Sequence, residues 1–222
     1  MKAIDYLAPE DIPESPLTQE VFNAICDSFH QLLYGTAVHQ RTYWHGRAVL
    51  KLPSDLFVYQ ELIVASRPDY LVETGTAHGG SALFFADVME MIGHGEVITI
   101  DINFQADRPA HPRIRYISAD SIEAAREVKK IARGKKVLVS LDSDHQKDHV
   151  LKELEVYAPL ATEFLVVEDT NINHPIQIEP PYEGPMEAVI EFLETHKEFE
   201  IYADAHKFLV TQHPNGWLRK VR

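Results

Sequence analysis

Three acidic residues and one histidine stand where they could do chemistry together. Asp142 follows the apolar run 136–141, and Glu168 and Asp169 follow the apolar run 164–167. Each run reads as a buried strand. Neighbouring parallel strands end on one side of a sheet, so the three carboxylates are expected to converge. Like charges brought that close repel unless a cation sits among them. Mg²⁺ takes oxygen ligands and keeps positions open for water or substrate, which makes it the simplest remedy. The competing reading is that each acid caps the helix after its strand. His145, at the start of the following helix, could take a proton from a hydroxyl, since its ordinary pKa of about 6.5 suits a general base. It could equally be structural. Asp144 could orient His145, cap the helix or touch the ion's outer shell, and spacing does not choose among these.

A second constellation lies upstream. Residues 70–81 read Tyr-Leu-Val-Glu-Thr-Gly-Thr-Ala-His-Gly-Gly-Ser: a short strand closed by Glu73, a turn through Gly75, Gly79 and Gly80, then an apolar helix. Strand, glycine turn and helix form the first unit of a doubly wound α/β sheet, which binds ligands beyond the carboxyl ends of its strands. A dinucleotide site would want Gly-x-Gly-x-x-Gly, and this chain has Glu-x-Gly-x-x-x-Gly-Gly-Ser instead. The acid at the strand end suits a cationic or amine-bearing ligand better than a phosphate. Asp101 closes the next strand, where such folds place a carboxylate on a ribose. Together they look like the S-adenosylmethionine (SAM) pocket of a class I methyltransferase.

The elements that must position these residues alternate regularly. Strands are predicted at 70–74, 96–101, 113–117, 136–141 and 164–167, with helices at 80–92, 121–132, 147–157 and 186–195 between and after them. This pattern implies a mainly parallel sheet. Two last strands, at 199–203 and 207–211, are expected to form an antiparallel hairpin at one edge. Before the sheet come an irregular arm over 1–17, a helix over 18–34 carrying Val21, Ile25, Phe29, Leu32 and Leu33, and a helix from Pro53 that ends by Arg67-Pro68. The segment 40–47 reads either as a surface loop or as a flap or subunit contact. The organisation expected is therefore a helical extension over 1–66 on an α/β domain over 67–222, with the extension a place for homo-oligomer contacts.

Composition narrows the partners. The chain has 222 residues and a net charge of −13, so nucleic acid and anionic membranes, which need Lys/Arg clusters, are poor partners. One cysteine, Cys26, excludes an internal disulfide framework. No apolar stretch approaches the ~18 residues of a membrane span, and the first ten residues lack a signal peptide's apolar core. A soluble, cytoplasmic protein is expected.

The motifs Leu-Val-Glu-Thr-Gly-x3-Gly-Gly-Ser, Leu-Asp-Ser-Asp-His and Val-Val-Glu-Asp-Thr-Asn together resemble the cephalosporin hydroxylase family, which includes rhamnosyl O-methyltransferase relatives. Leu52-Pro53-x-Asp55 with Gln60-Glu61, Gly184-Pro185-x2-Ala188 and Asn215-Gly216-Trp217-Leu218 add to the likeness, which covers about residues 50–222. The resemblance implies a Rossmann-like, SAM-dependent methyltransferase fold with a Mg²⁺ site at Asp142, Glu168 and Asp169. The more distant catechol-type enzymes share the layout. They imply Glu73, Gly75, Ser81 and Asp101 around the cofactor, with Gly79 in the turn, Asp142 bordering both ion and cofactor, and Ser118, Ala119 and Asp120 near the adenine. Those enzymes carry a lysine where this chain has His145, and usually Asp where it has Glu168. The expected activity is Mg²⁺-dependent O-methylation of a small hydroxylated molecule, a sugar or a secondary metabolite. The rivals are a non-catalytic binding protein on the same fold, a nicotinamide dehydrogenase, which the missing Gly-x-Gly disfavours, and an iron-dependent hydroxylase, which would want two histidines and one carboxylate.

Overall fold

The computed structural model describes residues 18–103, 105 and 107–221; the arm expected over 1–17 lies outside them. The order is α1 (Gln19–Gly35), a 3-10 turn (Val38–Arg41), β1 (Tyr43–Trp44), β2 (Arg47–Ala48), α2 (Pro53–Ser66), β3 (Tyr70–Thr74), α3 (Gly80–Met91), β4 (Glu96–Asp101), β5 (Ile114–Ser118) and α4 (Ser121–Ile131). Then come β6 (Val137–Leu141), α5 (Lys147–Tyr157), β7 (Phe164–Val167), α6 (Pro185–Thr195), β8 (Phe199–Ile201), a second 3-10 turn (Ala203–His206) and β9 (Trp217–Lys220).

Seven strands make one sheet in the order β5-β4-β3-β6-β7-β9-β8. The five strands from β3 to β7 run parallel. The order reverses at β3, which pairs with β4 on one side and β6 on the other. This is the switch point of a doubly wound sheet, where a crevice opens beyond the strand ends. Side chains of a strand alternate between faces, and the core divides accordingly. Leu71, Val97, Leu138 and Val166 pack under α2 and α3 with Tyr59, Ile63, Phe85 and Met89. Val72, Ile98, Val139 and Leu165 pack on the other face with Val128, Leu154, Tyr157 and Phe192 from α4, α5 and α6. Both faces are covered, which is why these strands read as continuous apolar runs.

The antiparallel edge exists, but its second strand is not 207–211. β8 pairs with β9, Phe199 opposite Lys220, and β9 also pairs with β7. The apolar Phe208-Leu209-Val210 is loop, with Leu209 at φ 70° and Phe208 exposed. It carries Thr211, Gln212 and His213, all buried, to the carboxyl end of the sheet. There the Gln212 N–H donates to Asp55 Oδ2 at 2.9 Å.

Two upstream segments also bear on the site. In α1 the stripe Val21, Ile25, Phe29 and Leu32 faces outward, while Phe22, Cys26 and His30 face in. Segment 40–47 leaves the 3-10 turn and forms a hairpin, β1 on β2, whose turn residues His45 and Gly46 both take positive φ, the backbone a two-residue hairpin needs. It is fastened to α3: the Trp44 indole N–H donates to Asp87 Oδ2 at 2.7 Å and the ring meets Phe84 edge-on at 5.0 Å. At Gly80, a Cβ would sit 2.1 Å from the Ala48 carbonyl oxygen, so only glycine lets the hairpin lie this close.

Among the described residues, no helix is long and apolar enough to cross a membrane.

Candidate active site

A cavity of about 560 Å³ opens at the switch point. Of the residues marked out by sequence, Asp101, Ala119 and Asp120 line it from the ends of β4 and β5, Asp142, His145 and Asp169 from beyond β6 and β7, and Gly75 lies between them against Asp142. Ligand atoms of Asp142, His145 and Asp169 all lie within 4.8 Å of one another. The His145 Nε2 stands 3.5 Å from Asp142 Oδ1 and 3.3 Å from Asp169 Oδ2. Burial works to lower the pKa of His145, but the carboxylates on either side of it raise it to about 9. For Asp169 the balance goes the other way: burial first, then Asp142, raises its carboxyl to about 6. Burial also works to raise Asp142, yet Lys51 and His145 hold it below the usual carboxylate range.

Glu168 and Asp169 are neighbours in sequence but point to different sides. Asp169 takes the left-handed conformation, φ 53°, which Asp tolerates better than most residues. Its N–H donates to His213 Nδ1 at 2.9 Å. This turns the Asp169 carboxylate into the cavity. Glu168, 2% exposed, turns beneath it and accepts hydrogen bonds from Tyr59 Oη at 2.7 Å and Ser140 Oγ at 2.6 Å. The Lys51 ammonium bridges the two acids, touching Glu168 Oε2 and lying 2.9 Å from Asp142 Oδ2. The structure thus gathers Asp142, Asp169 and His145 at the cavity and sets Glu168 behind them, joined through Lys51.

The cofactor-side residues divide similarly. Asp101 Oδ2 accepts from the Ala77 N–H and from Arg108 Nη2, each at 2.9 Å, and its Oδ1 accepts from the Asn103 N–H at 2.8 Å. Asp120 lines the cavity and also caps α4, accepting from the Ile122 N–H at 2.9 Å and the Glu123 N–H at 3.2 Å. Gly79, Ser81 and Ser118 are not among the lining residues. Gly79 precedes α3 beside Pro109, Ser81 is buried in its first turn, and Ser118 ends β5 with its side chain exposed.

Glu73 is fully buried under the glycine turn, accepting from Thr99 Oγ1 at 2.6 Å. Burial raises its pKa from 4.5 to about 7. The folded protein therefore keeps a proton here that the unfolded chain loses above its ordinary value. The stability from this group is present at low pH and is lost as pH rises from about 4.5 towards 7, on the order of 3 kcal/mol in all. Glu73→Gln cannot ionise and is expected to flatten that fall, read by urea unfolding at stepped pH. An unchanged slope would show that Glu73 is not its source.

Sequence reasoning missed Lys51, Tyr59, Gln212 and His213. The motif Leu52-Pro53-x-Asp55 pointed at the neighbourhood: the Leu52 N–H donates to Gln212 Oε1 at 2.7 Å, and Asp55 holds the Gln212 N–H. No spacing signal marks the lysine just before it.

The chain matches the rhamnosyl O-methyltransferase/CmcI family over residues 36–221. It belongs to that family. The rhamnosyl O-methyltransferase of Mycobacterium tuberculosis (strain ATCC 25618 / H37Rv) is 36% identical over 212 residues, covering 88% of this chain and 85% of the relative. That of Mycobacterium leprae (strain TN) is 38% identical over 179 residues, covering 75% and 77%. Among solved structures, apo-CmcI superposes with a TM-score of 0.62 at 22% identity, covering 82% of this chain and 77% of that one. CmcI with Mg and SAM gives 0.61 at 21% identity, with coverage of 82% and 78%. At those identities the structural likeness speaks for the fold. Membership of the rhamnosyl O-methyltransferase/CmcI family makes the protein a SAM-dependent O-methyltransferase.

Proposed function

We propose that the protein methylates a hydroxyl of a small acceptor, a sugar or a hydroxylated secondary metabolite, with SAM as donor and Mg²⁺ at the strand ends. The observation that supports this most directly is the gathering of Asp142, Asp169 and His145 at one side of a cavity whose other side carries Asp101. The donor set suits the ion: carboxylate oxygens for a hard divalent cation, with the open cavity leaving positions for other ligands. Asp142 and Asp169 would hold it, while Glu168, expected from the sequence as a third ligand, is turned to Lys51, Tyr59 and Ser140 and would act on the ion through its charge. When bound, SAM supplies an electrophilic methyl on a sulfonium sulfur, and Mg²⁺ supplies a Lewis acid for the acceptor hydroxyl.

The chain's own residues supply the rest. Asp101 would hydrogen-bond the ribose and so fix the donor's position. His145, or a water it orders, takes the acceptor's proton. Its ring must first be neutral, and it becomes so once the carboxylate charge around it is neutralised, because that charge is what keeps the proton on. Holding acceptor and donor in line turns a bimolecular attack into an intramolecular one, which accounts for much of the acceleration such a site can give.

Removal of a hydrogen bond to a charged group costs about 1.5–3 kcal/mol. Asp101→Ala is therefore expected to weaken SAM binding roughly 10- to 100-fold. Calorimetry showing unaltered affinity would take Asp101 out of the cofactor site. The substrate class is tested by incubating the protein with labelled SAM and Mg²⁺ over rhamnosylated acceptors, other sugars and hydroxylated aromatics. The names of the mycobacterial relatives put rhamnosyl acceptors first. Transfer to one of these classes supports the proposal. SAM binding with no turnover on any of them favours a non-catalytic protein on this fold.

A further inference from the structure

Lys51 is the most unusual residue of the described chain: a lysine with a side chain 2% exposed, sealed at the carboxyl end of the sheet. The backbone explains how it gets there. Leu50 takes φ 63° and lines the cavity, and Lys51 then turns inward before Pro53 opens α2. The ammonium donates to Asp142 Oδ2 at 2.9 Å and to Glu168 Oε2. Glu168 is held by two further donors. Tyr59 and Ser140 donate to its Oε1. The His213 ring, whose Nδ1 accepts the Asp169 N–H, stands beside the Glu168 carboxylate with Nε2 3.3 Å from Oε2 and not hydrogen-bonded to it. A carboxylate offers about four lone-pair sites; Lys51, Tyr59 and Ser140 donate to three of them. With so little of it exposed, Lys51 is placed to act on the carboxylates and not on an acceptor in the cavity.

We propose that Lys51 is a built-in counter-cation for the carboxylate cluster, a positioning residue that shares the charge of Asp142 and Glu168 with an incoming divalent ion. The proposal rests on the reading that Mg²⁺ binds at Asp142 and Asp169. With the His145 ring neutral, as the proposed reaction requires, Asp142, Glu168 and Asp169 bring three negative charges and Lys51 brings one positive charge, leaving two for a divalent cation to cancel. Lys51 keeps the acids in place before the ion arrives, and it repels the ion once it is there. Ion binding is thereby held weak and exchangeable. This gives a sign that distinguishes a counter-cation from a merely structural lysine. Loss of a structural lysine loosens the carboxylates and weakens ion binding, whereas loss of a counter-cation leaves the cluster more negative and tightens it.

The test is a calorimetric Mg²⁺ titration of wild type and Lys51→Met, with melting curves in the presence and absence of Mg²⁺. The ion-free variant is expected to melt lower, Mg²⁺ to restore much of the difference, and Mg²⁺ to bind about tenfold tighter or more. Unchanged or weaker binding overturns the proposal. Glu168 left without its cation could prevent folding, so the same comparison is made in a Glu168→Gln background. There Lys51→Met removes the other half of the pair, a change such buried pairs tolerate, and is again expected to tighten ion binding about tenfold. No tightening in that background overturns the proposal by itself. A wild type that binds no Mg²⁺ removes the functional reading, and this inference with it.

Discussion

Asp142→Asn is expected to lose Mg²⁺ binding and methyl transfer together while SAM binding is largely kept. The substitution keeps the shape of the side chain and removes its charge. Asp142 is the one acid that faces both the cavity and the buried lysine, with Lys51 at 2.9 Å and His145 at 3.5 Å. Substituting groups that merely support a metal ligand costs about 10- to 100-fold in affinity or activity, so a ligand itself is expected at or beyond the upper end. Lys51 still has Glu168 as partner, which keeps the variant folded. Asp101, on the other wall, is untouched. Two calorimetric titrations, one with Mg²⁺ and one with SAM, read the two losses separately. Unchanged Mg²⁺ affinity would remove Asp142 from the ion site, and equal loss of both ligands would point to general damage.

Gly75→Ala is expected to be the most damaging single methyl group that can be added to the switch point. Gly75 has φ +85°, and a Cβ there would lie 1.8 Å from the Asp142 carbonyl oxygen and 2.5 Å from its carbon. Strands β3 and β6 pair in register up to Thr74 and Leu141, so the methyl must push Asp142 off the end of its strand. Left-handed backbone costs roughly 1–2 kcal/mol for a residue with a Cβ, and overpacking adds about 1–3 kcal/mol. In a domain of this size the sum corresponds to a fall in melting temperature of roughly 10 °C. The Mg²⁺ affinity is expected to fall with it, because the displaced residue carries the carboxylate. A melting temperature within a degree of wild type would contradict the contact.

Much of the fold was legible because its punctuation is local. The bounds of β3, β4, α5 and β7 agree with those read from apolar runs closed by Gly, Pro or acidic residues. The edge was misread because Phe208-Leu209-Val210 has a strand's composition, while the true strand at Trp217–Lys220 is set by what β7 needs as a neighbour. The cavity acids Asp142 and Asp169 were legible as strand ends. The different direction of Glu168 was not, since it depends on the left-handed backbone at Asp169 and on donors from other parts of the chain. Lys51 and Glu168 are 117 residues apart, and the Leu52–Gln212 contact spans 160. No window along the chain reveals such pairs. A lysine in a loop reads as a solvated charge until the fold closes over it.

The placement of β9 between β7 and β8 has a consequence for biosynthesis. Gln212 and His213 lie just before β9, which inserts between two strands made earlier. On the ribosome, a nascent chain that has already produced both cavity acids still lacks the imidazole that receives the Asp169 N–H and the amide that ties down Leu52. The surroundings of the cavity acids are therefore expected to be complete only after residues 212–220 have emerged and β9 has paired with its two neighbours.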